Sequence, residues 1–373
     1  MTRRSPIRFP LMATAMVALL AGLWAGLLRL SWAVPTPRAT LLLIHGPLMV
    51  SGFLGTLIAV ERAVALGQRW PYGAPLCAAL GAVALLVGVP DPVGPALFVA
   101  ASVGLVAIFA VIIRAQAALF TVTMGVGAVS WLIGNLLWLA GWPLYQVVSW
   151  WIGFLVLTIA GERLELSRLL QPSAAAQRGF VAVAVVFIVG LALGGIGTAI
   201  GARVSGVALI GLTAWLARHD IARRTVRQRG LTRFTAVCLL SGYVWLGVTG
   251  VLALLFGGVI AGLHYDAVLH AVFLGFVFAM IFGHAPIILP AVLGLPVPFR
   301  AAFYAHVAVL HLSLMLRVAA DLAGVTVLRE WAGLLNVIAV LLFLANTVWS
   351  VRQGRSAASL RTATHAVRDA TAL

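Results

Sequence analysis

The sequence predicts an all-α, polytopic integral membrane protein, a single transmembrane domain over residues 1–373 built from about twelve helices. Three observations carry that prediction. Of the 373 residues, 63% are hydrophobic and only 9% charged, whereas soluble domains are about half apolar and about one-quarter charged; no polar coat is available for life in water. Apolar runs of about 20 residues, the length that crosses hydrocarbon, recur between turn and charge signals along the whole chain. The 25 basic residues are all arginine, they outnumber 9 acidic residues to give a net charge of +16, and they fall between the apolar runs. That distribution argues against a nucleic-acid-binding face and makes the arginines markers of topology.

Taken in order, the segments run over about 9–33, 39–61, 73–89, 92–113, 117–140, 144–162, 179–200, 202–217, 233–257, 266–288, 300–322 and 328–350. Turn chemistry separates them at Pro35 and Pro37, Trp70-Pro71, Pro90-Asp91-Pro92, Trp142-Pro143, Pro172 and Pro296-Val297-Pro298. The first segment is too long for a removable signal peptide and lacks a suitably placed small-residue cleavage site, so it is expected to stay as an anchor. Cys77 and Cys238 lie inside apolar segments and no CxxCH occurs, which indicates neither a disulfide framework nor covalently attached haem c.

Cytoplasmic loops keep the positive residues. With the amino terminus inside, 20 of the 25 arginines fall on the inner side, and only Arg29, Arg38, Arg203, Arg317 and Arg329 lie at or near the outer side. Both termini are therefore expected in the cytoplasm, with tails over 1–8, which carries Arg3, Arg4 and Arg8, and over 351–373, which carries Arg352, Arg355, Arg361 and Arg368. The loop 218–232 reads as a basic segment lying on anionic headgroups. Absent lysine beside abundant arginine, alanine and glycine is what a GC-rich bacterial genome produces, so the expected location is a bacterial inner membrane.

An ionisable side chain in hydrocarbon is costly, so each one inside a segment is a functional candidate. His219 and His365 fall in polar cytoplasmic stretches and are expected to be solvated. His45, His270, His284, His306 and His311 lie in or at the ends of segments, with His264 just outside the tenth. The second and tenth segments both enter from the outside, which puts His45 about 9 Å and His270 about 6 Å below that surface at 1.5 Å per residue. Two imidazoles at one level on different helices suit ligation of one metal or haem iron from opposite faces; interhelical hydrogen bonding is the alternative. His284 follows His270 by close to four turns, about 21 Å deeper on the same side of a regular helix, so the two do not share a metal. His306 enters from the cytoplasmic side towards His284, and His311 sits about 140° around the helix from His306. Hydrogen bonding, a proton relay that also uses Glu162, and a second metal site are the readings of these groups.

Glu61-Arg62, and Glu162-Arg163 with Glu165, sit at inner segment ends, where neutralised pairing is expected and a proton entry point is the sharper alternative. Arg317 and Asp321 are one turn apart and can pair along one face, and Arg317 is deep enough to reach a group bound near the outer side. Asn135 with Trp131, Trp138, Trp142, Trp150 and Trp151 reads as helix packing and an interfacial aromatic belt.

The string LIHGPLMVSGF over 43–53 resembles the second helix of haem–copper oxidase catalytic subunits, and LHAVFLGFVFAMIFGH over 269–284 is similar to the helix that supplies their opposing axial histidine. The closer resemblance is to NnrS-type proteins, membrane haem proteins tied to nitric oxide and nitrosative stress that look like shortened relatives of that oxidase fold. Their second helix reads approximately HAHEMLFGF, similar at His45, Met49, Gly52 and Phe53; their tenth reads approximately LHALTVGAIGGM, similar at Leu269, His270, Ala271, Gly275 and Met280. Their LLRV resembles Leu316-Arg317-Val318 and its surroundings.

The resemblance implies an oxidase-subunit-like bundle and a low-spin haem b between His45 and His270 near the outer leaflet, with Met49 beside it. Arg317 would stand on a propionate, and Gly46, Gly52 and Gly275 would let backbone approach the macrocycle. It further implies electron transfer or a nitric oxide or redox response, with a redox partner or nitric oxide as counterpart. The departures are specific. Pro47 and Leu48 replace a histidine and a glutamate, Val268 replaces the oxidase histidine two positions before the tenth-helix ligand, and segments three to nine carry no embedded histidine. A copper–haem binuclear centre, and oxygen or nitric oxide reduction with it, are not carried over. The competing class is a proton-coupled secondary transporter of a small solute with His311, His306 and Glu162 as relay, although no repeat relates 1–178 to 179–373 and no pair of broken segments occupies corresponding positions. A purely structural or assembly protein is the third.

Overall fold

In the computed structural model, which describes residues 7–371 apart from 91, 197 and 198, and side chains through 356, no strand occurs among the described residues. Arg3, Arg4 and the side chains of Arg361, His365 and Arg368 lie outside the described residues. Twelve helices there are long and apolar enough to cross a membrane. They are α1 Arg8–Arg29, α2 His45–Leu66, α3 Trp70–Val87, α4 Val93–Ala115, α5 Leu119–Leu139, α6 Leu144–Leu170, α7 Ala174–Gly195, α8 Ala199–His219, α9 Gly230–Phe256, α10 Leu263–Leu293, α11 Phe303–Ala323 and α12, whose spanning part is Thr326–Ser356.

The expected order and number of segments are found, and the differences lie at their ends. Residues Ala39–Leu42 form one 3-10 turn and α2 proper begins at His45. Pro47 does not break this helix: it lies in the first turn, where a missing N–H costs nothing. α10 runs on to Leu293 through Pro286 and Pro290. α12 continues as helix to Thr371, across the stretch expected to be a tail. Residues 349–353 of it are held by the 294–302 segment: Ser350 Oγ donates to Pro298 O, Arg300 bonds Gln353, and the Arg300 guanidinium lies 3.9 Å from the Trp349 ring centre. α2 and α3 stop at Gly67 and Gly88, whose positive φ (69° and 73°) suits a residue without Cβ.

Two helices are irregular at related places. Leu48–Gly55 in α2 and Ala271–Phe278 in α10 are π-helical, each starting within three residues of a histidine, His45 or His270. Such segments are rare and concentrate at functional sites.

Neighbours in sequence pack together from α3 through α9, while α10 lies against α9 and α11 and meets α2. Where α8 crosses α9, the position a Cβ of Gly206 would take is 2.7 Å from Gly250 O, and that of Gly250 is 2.7 Å from Gly206 O. Small residues bring helix backbones together in the absence of a hydrophobic drive between helices. Gly206→Ala or Gly250→Ala is expected to lower stability by about 1–3 kcal/mol, the usual cost of overpacking, read as an earlier thermal transition of the detergent-solubilised protein.

The tryptophans depart from a belt. Trp131, Trp150 and Trp151 are buried between helices and Trp138 is half-buried, while Trp142 is exposed. Asn135 organises part of this region: its Nδ2 donates to Phe98 O (3.1 Å) and its Oδ1 accepts from Trp151 Nε1 (3.0 Å) and Ser51 Oγ (3.4 Å), tying α2, α4 and α6 to α5.

Candidate functional site

His45 opens α2 against α1, and its Nδ1 lies 2.7 Å from Gly22 O. A carbonyl oxygen only accepts, so Nδ1 carries the proton and Nε2 presents its lone pair. His270 makes the same choice within α10: its Nδ1 is 2.9 Å from Asp266 O, one turn earlier, and 3.2 Å from Asp266 Oδ1. The two imidazoles lie with ring centres 6.4 Å apart and planes inclined by 26°. Imidazoles bonded through opposite nitrogens to one metal, at roughly 2 Å per bond, stand with ring centres roughly 6 Å apart. The pair therefore has the spacing of two axial ligands on one ion.

Both rings line a cavity of about 580 Å³ between α1, α2, α6, α10, α11 and α12, within the roughly 300–1,000 Å³ typical of sites for compact organic ligands. Its wall is mainly apolar, with Met49, Trp151 and Phe273 among the lining residues. Gly26 and Gly46 line it as well: a Cβ on Gly26 would lie 3.2 Å from His45 Cε1, and one on Gly46 would meet nothing within 4 Å. Among the described residues no three His, Cys, Asp or Glu side chains gather as metal ligands.

The polar rim is built differently from expectation. Arg317 lines the cavity but does not pair with Asp321. Its Nη2 and Nε hold Asp266 Oδ2 at 2.8 and 3.1 Å, and its Nη1 reaches Asn336 Oδ1 at 3.4 Å. Asp321 pairs instead with Arg329 at 2.9 Å, and Arg329 also reaches Asp266 at 3.4 Å. The i,i+4 rule lost because carboxylates from other helices lie nearer. Arg29, exposed and bonded to Leu42 O (3.2 Å), lines the cavity mouth. Met49 lines the cavity and its sulfur packs on Gly22. Gly52 and Gly275 do not serve close approach to a ligand: Gly52 abuts Ala18 and Ala82, and Gly275 sits under the Trp245 ring.

The other embedded histidines have different hydrogen bonds and no free lone pair. His284 donates from Nδ1 to Met280 O (2.7 Å) and accepts at Nε2 from Arg163 (3.2 Å). His311 Nδ1 accepts from Trp245 Nε1 (2.9 Å). His306 Nδ1 accepts from Asn346 Nδ2 (3.2 Å) inside a cage that includes Phe282 and Phe343. The Nε2–H groups of His306 and His311 are buried donors with no partner among the described residues. Glu162 pairs with Arg62, which also holds Glu61 at 3.3 Å. No direct hydrogen bond joins His284, His306, His311 and Glu162 to one another among the described residues. His219 is half-buried, bonded to Trp215 O (3.0 Å), rather than solvated, and His264 stacks on Phe256 at 4.2 Å.

A second buried polar centre lies at the opposite end of the bundle. Arg163 is held by Asp220 at 2.8 and 3.2 Å, and Asp220 also accepts from Tyr243 OH (2.9 Å) and Ala222 N (2.7 Å). Asp220 belongs to the loop expected to lie on headgroups, yet it is 1% exposed. Sequence reasoning missed Asp220, Asp266, Gly22 and Gly26. Only Asp266 left a signal, its place four residues before His270.

Fold and site together define a polytopic α-helical membrane protein with a paired-histidine cavity at one end of its bundle. Residues 8–352 match a family described as a domain of unknown function, DUF8744, and the chain belongs to that family. No curated protein matches it.

Proposed function

We propose that the protein is an NnrS-like haem b protein of the bacterial inner membrane, with His45 and His270 as axial ligands near the outer leaflet and both termini in the cytoplasm. The observation that carries this reading is the pair of imidazoles with ring centres 6.4 Å apart, each with Nδ1 fixed on a carbonyl. A haem bound there would supply a one-electron couple whose iron has both axial positions filled, which suits electron transfer or a redox or nitric oxide response. The chain's own contribution is orientation. Gly22 O and Asp266 O set both tautomers and ring angles, as the outer partners of metal-bound histidines do. The apolar wall keeps the site at low polarity, and Arg29 brings positive charge to the rim where anionic propionates would lie, while Arg317 and Arg329 there are paired with Asp266 and Asp321. The counterpart is a redox partner or nitric oxide itself.

The absorption spectrum of the purified protein tests the reading. A Soret band with the paired visible bands of reduced low-spin haem is expected; protein that remains free of haem after expression with a haem precursor and after reconstitution with hemin would rule it out.

A further inference from the structure

The two histidines are not held alike. Behind His45 Nδ1 stands a neutral backbone carbonyl, Gly22 O at 2.7 Å. Behind His270 Nδ1 stands a carboxylate as well: Asp266 Oδ1 is 3.2 Å away, on the same helical turn as the carbonyl. Asp266 is itself fixed by two guanidiniums from other elements, Arg317 of α11 through two nitrogens at 2.8 and 3.1 Å and Arg329 of α12 at 3.4 Å. Asp321, fully buried, faces Arg329 from α11, so two carboxylates and two guanidiniums balance. Arg317 is steadied in turn by Asn336, which donates to Ser313 Oγ at 2.7 Å.

We infer that Asp266 sets the reduction potential at this site, through His270, and that Arg317 sets how strongly Asp266 is felt. The inference rests on the haem reading above. A carboxylate on the far nitrogen of a metal-bound imidazole makes it a more basic ligand, and a more basic ligand with nearby negative charge favours the more positive, oxidised ion. The cavity wall is apolar, so that charge is weakly screened. Asp266 therefore lowers the potential, and Arg317, by neutralising it, limits the lowering. Asp266 lines the cavity and acts through its contact with His270, which makes it a positioning and tuning residue. The asymmetry also gives each histidine its own part: His45 supplies a ligand of fixed character, His270 the adjustable one.

Opposite signs make the experiment decisive. Redox titrations of the full-length holoprotein in detergent would compare the wild type with Asp266→Asn and Arg317→Gln, each with its haem content and Soret band recorded. The midpoint potential is expected to rise in Asp266→Asn, which loses the carboxylate and leaves Arg317 without its carboxylate partner, and to fall in Arg317→Gln. A merely structural role would move both variants in one direction, through loosened haem. Asp266→Asn that keeps its haem and the wild-type potential overturns the inference, as does a common direction of shift. Should Asp266→Asn fail to retain haem, Asp266→Glu must preserve the wild-type potential while Arg317→Gln and Arg329→Gln lower it; any other pattern overturns the inference. A wild-type protein with no Soret band overturns the haem reading itself, whereas a normal band with an unmoved potential overturns only the role of Asp266.

Discussion

Replacing His45 or His270 by alanine is expected to remove the low-spin haem spectrum, with bound haem falling by more than about tenfold. Even the loss of an outer partner of a metal ligand costs about 10–100-fold in affinity, and under the proposed function a direct ligand goes. Each residue is expected to matter equally for spectral type, because one remaining imidazole cannot fill two axial positions. His306→Ala serves as the control. His306 is equally embedded, but its Nδ1 is occupied by Asn346 and it does not line the cavity, so its loss is expected to leave the band in place. Pyridine haemochrome quantification, together with the reduced-minus-oxidised spectrum, measures both outcomes. A full spectrum in either His45→Ala or His270→Ala would exclude that residue as a ligand.

The second large effect concerns stability at the opposite end. Arg163 and Asp220 are exposed by only 2% and 1%, and removing one partner of a buried ion pair leaves the other charge unbalanced at a cost of about 3–5 kcal/mol. Arg163→Leu and Asp220→Leu are each expected to collapse the yield of monodisperse protein in detergent and to lower its thermal transition steeply. The double variant Arg163→Leu/Asp220→Leu removes both charges and is expected to recover much of the loss. Recovery stays incomplete, since Tyr243 OH, Ala222 N and His284 Nε2 lose their partners as well. Strict additivity of the two single changes would show that the pair is not coupled. His45 and His270 stay intact in all three variants, so any haem spectrum should follow the amount of folded protein.

The pairing of His45 with His270 was legible in the sequence because two coarse signals combine to fix depth: arginine bias orients the chain, and a constant rise per residue converts position into height. The twelve helices were legible for the same reason, since hydropathy averages over a whole span. Side-chain partners were not, because they depend on which face of each helix turns inward. Arg317 illustrates this. The helical spacing rule selected Asp321, whereas α10 delivers Asp266 to the same guanidinium at 2.8 Å. The glycines failed alike: similar motifs at Gly52 and Gly275 turn toward Ala82 and Trp245, while Gly22 and Gly26 on α1, outside any motif, meet Met49 and His45. Asp220 stayed hidden because a basic stretch masks one acid, and only folding shows that this acid points inward to Arg163.

The π-helical stretches alter what length means in this chain. Ala271–Phe278 separates His270 from His284, and Leu48–Gly55 separates His45 from Glu61 and Arg62. A wide turn takes more residues per revolution than an α-turn, so the two ends of each helix are not in the angular phase that counting residues would give. Turning such a stretch into regular helix with its residue count unchanged would rotate one half against the other by about 100°, because a wide turn takes up about one residue more than an α-turn. The helix would still cross the bilayer, with hydropathy unchanged, yet its histidine would swing off the common axis. For α2 and α10, the wide turns thus act as an angular clutch between the paired-histidine end and the ion-paired end, since they set the phase of one end against the other.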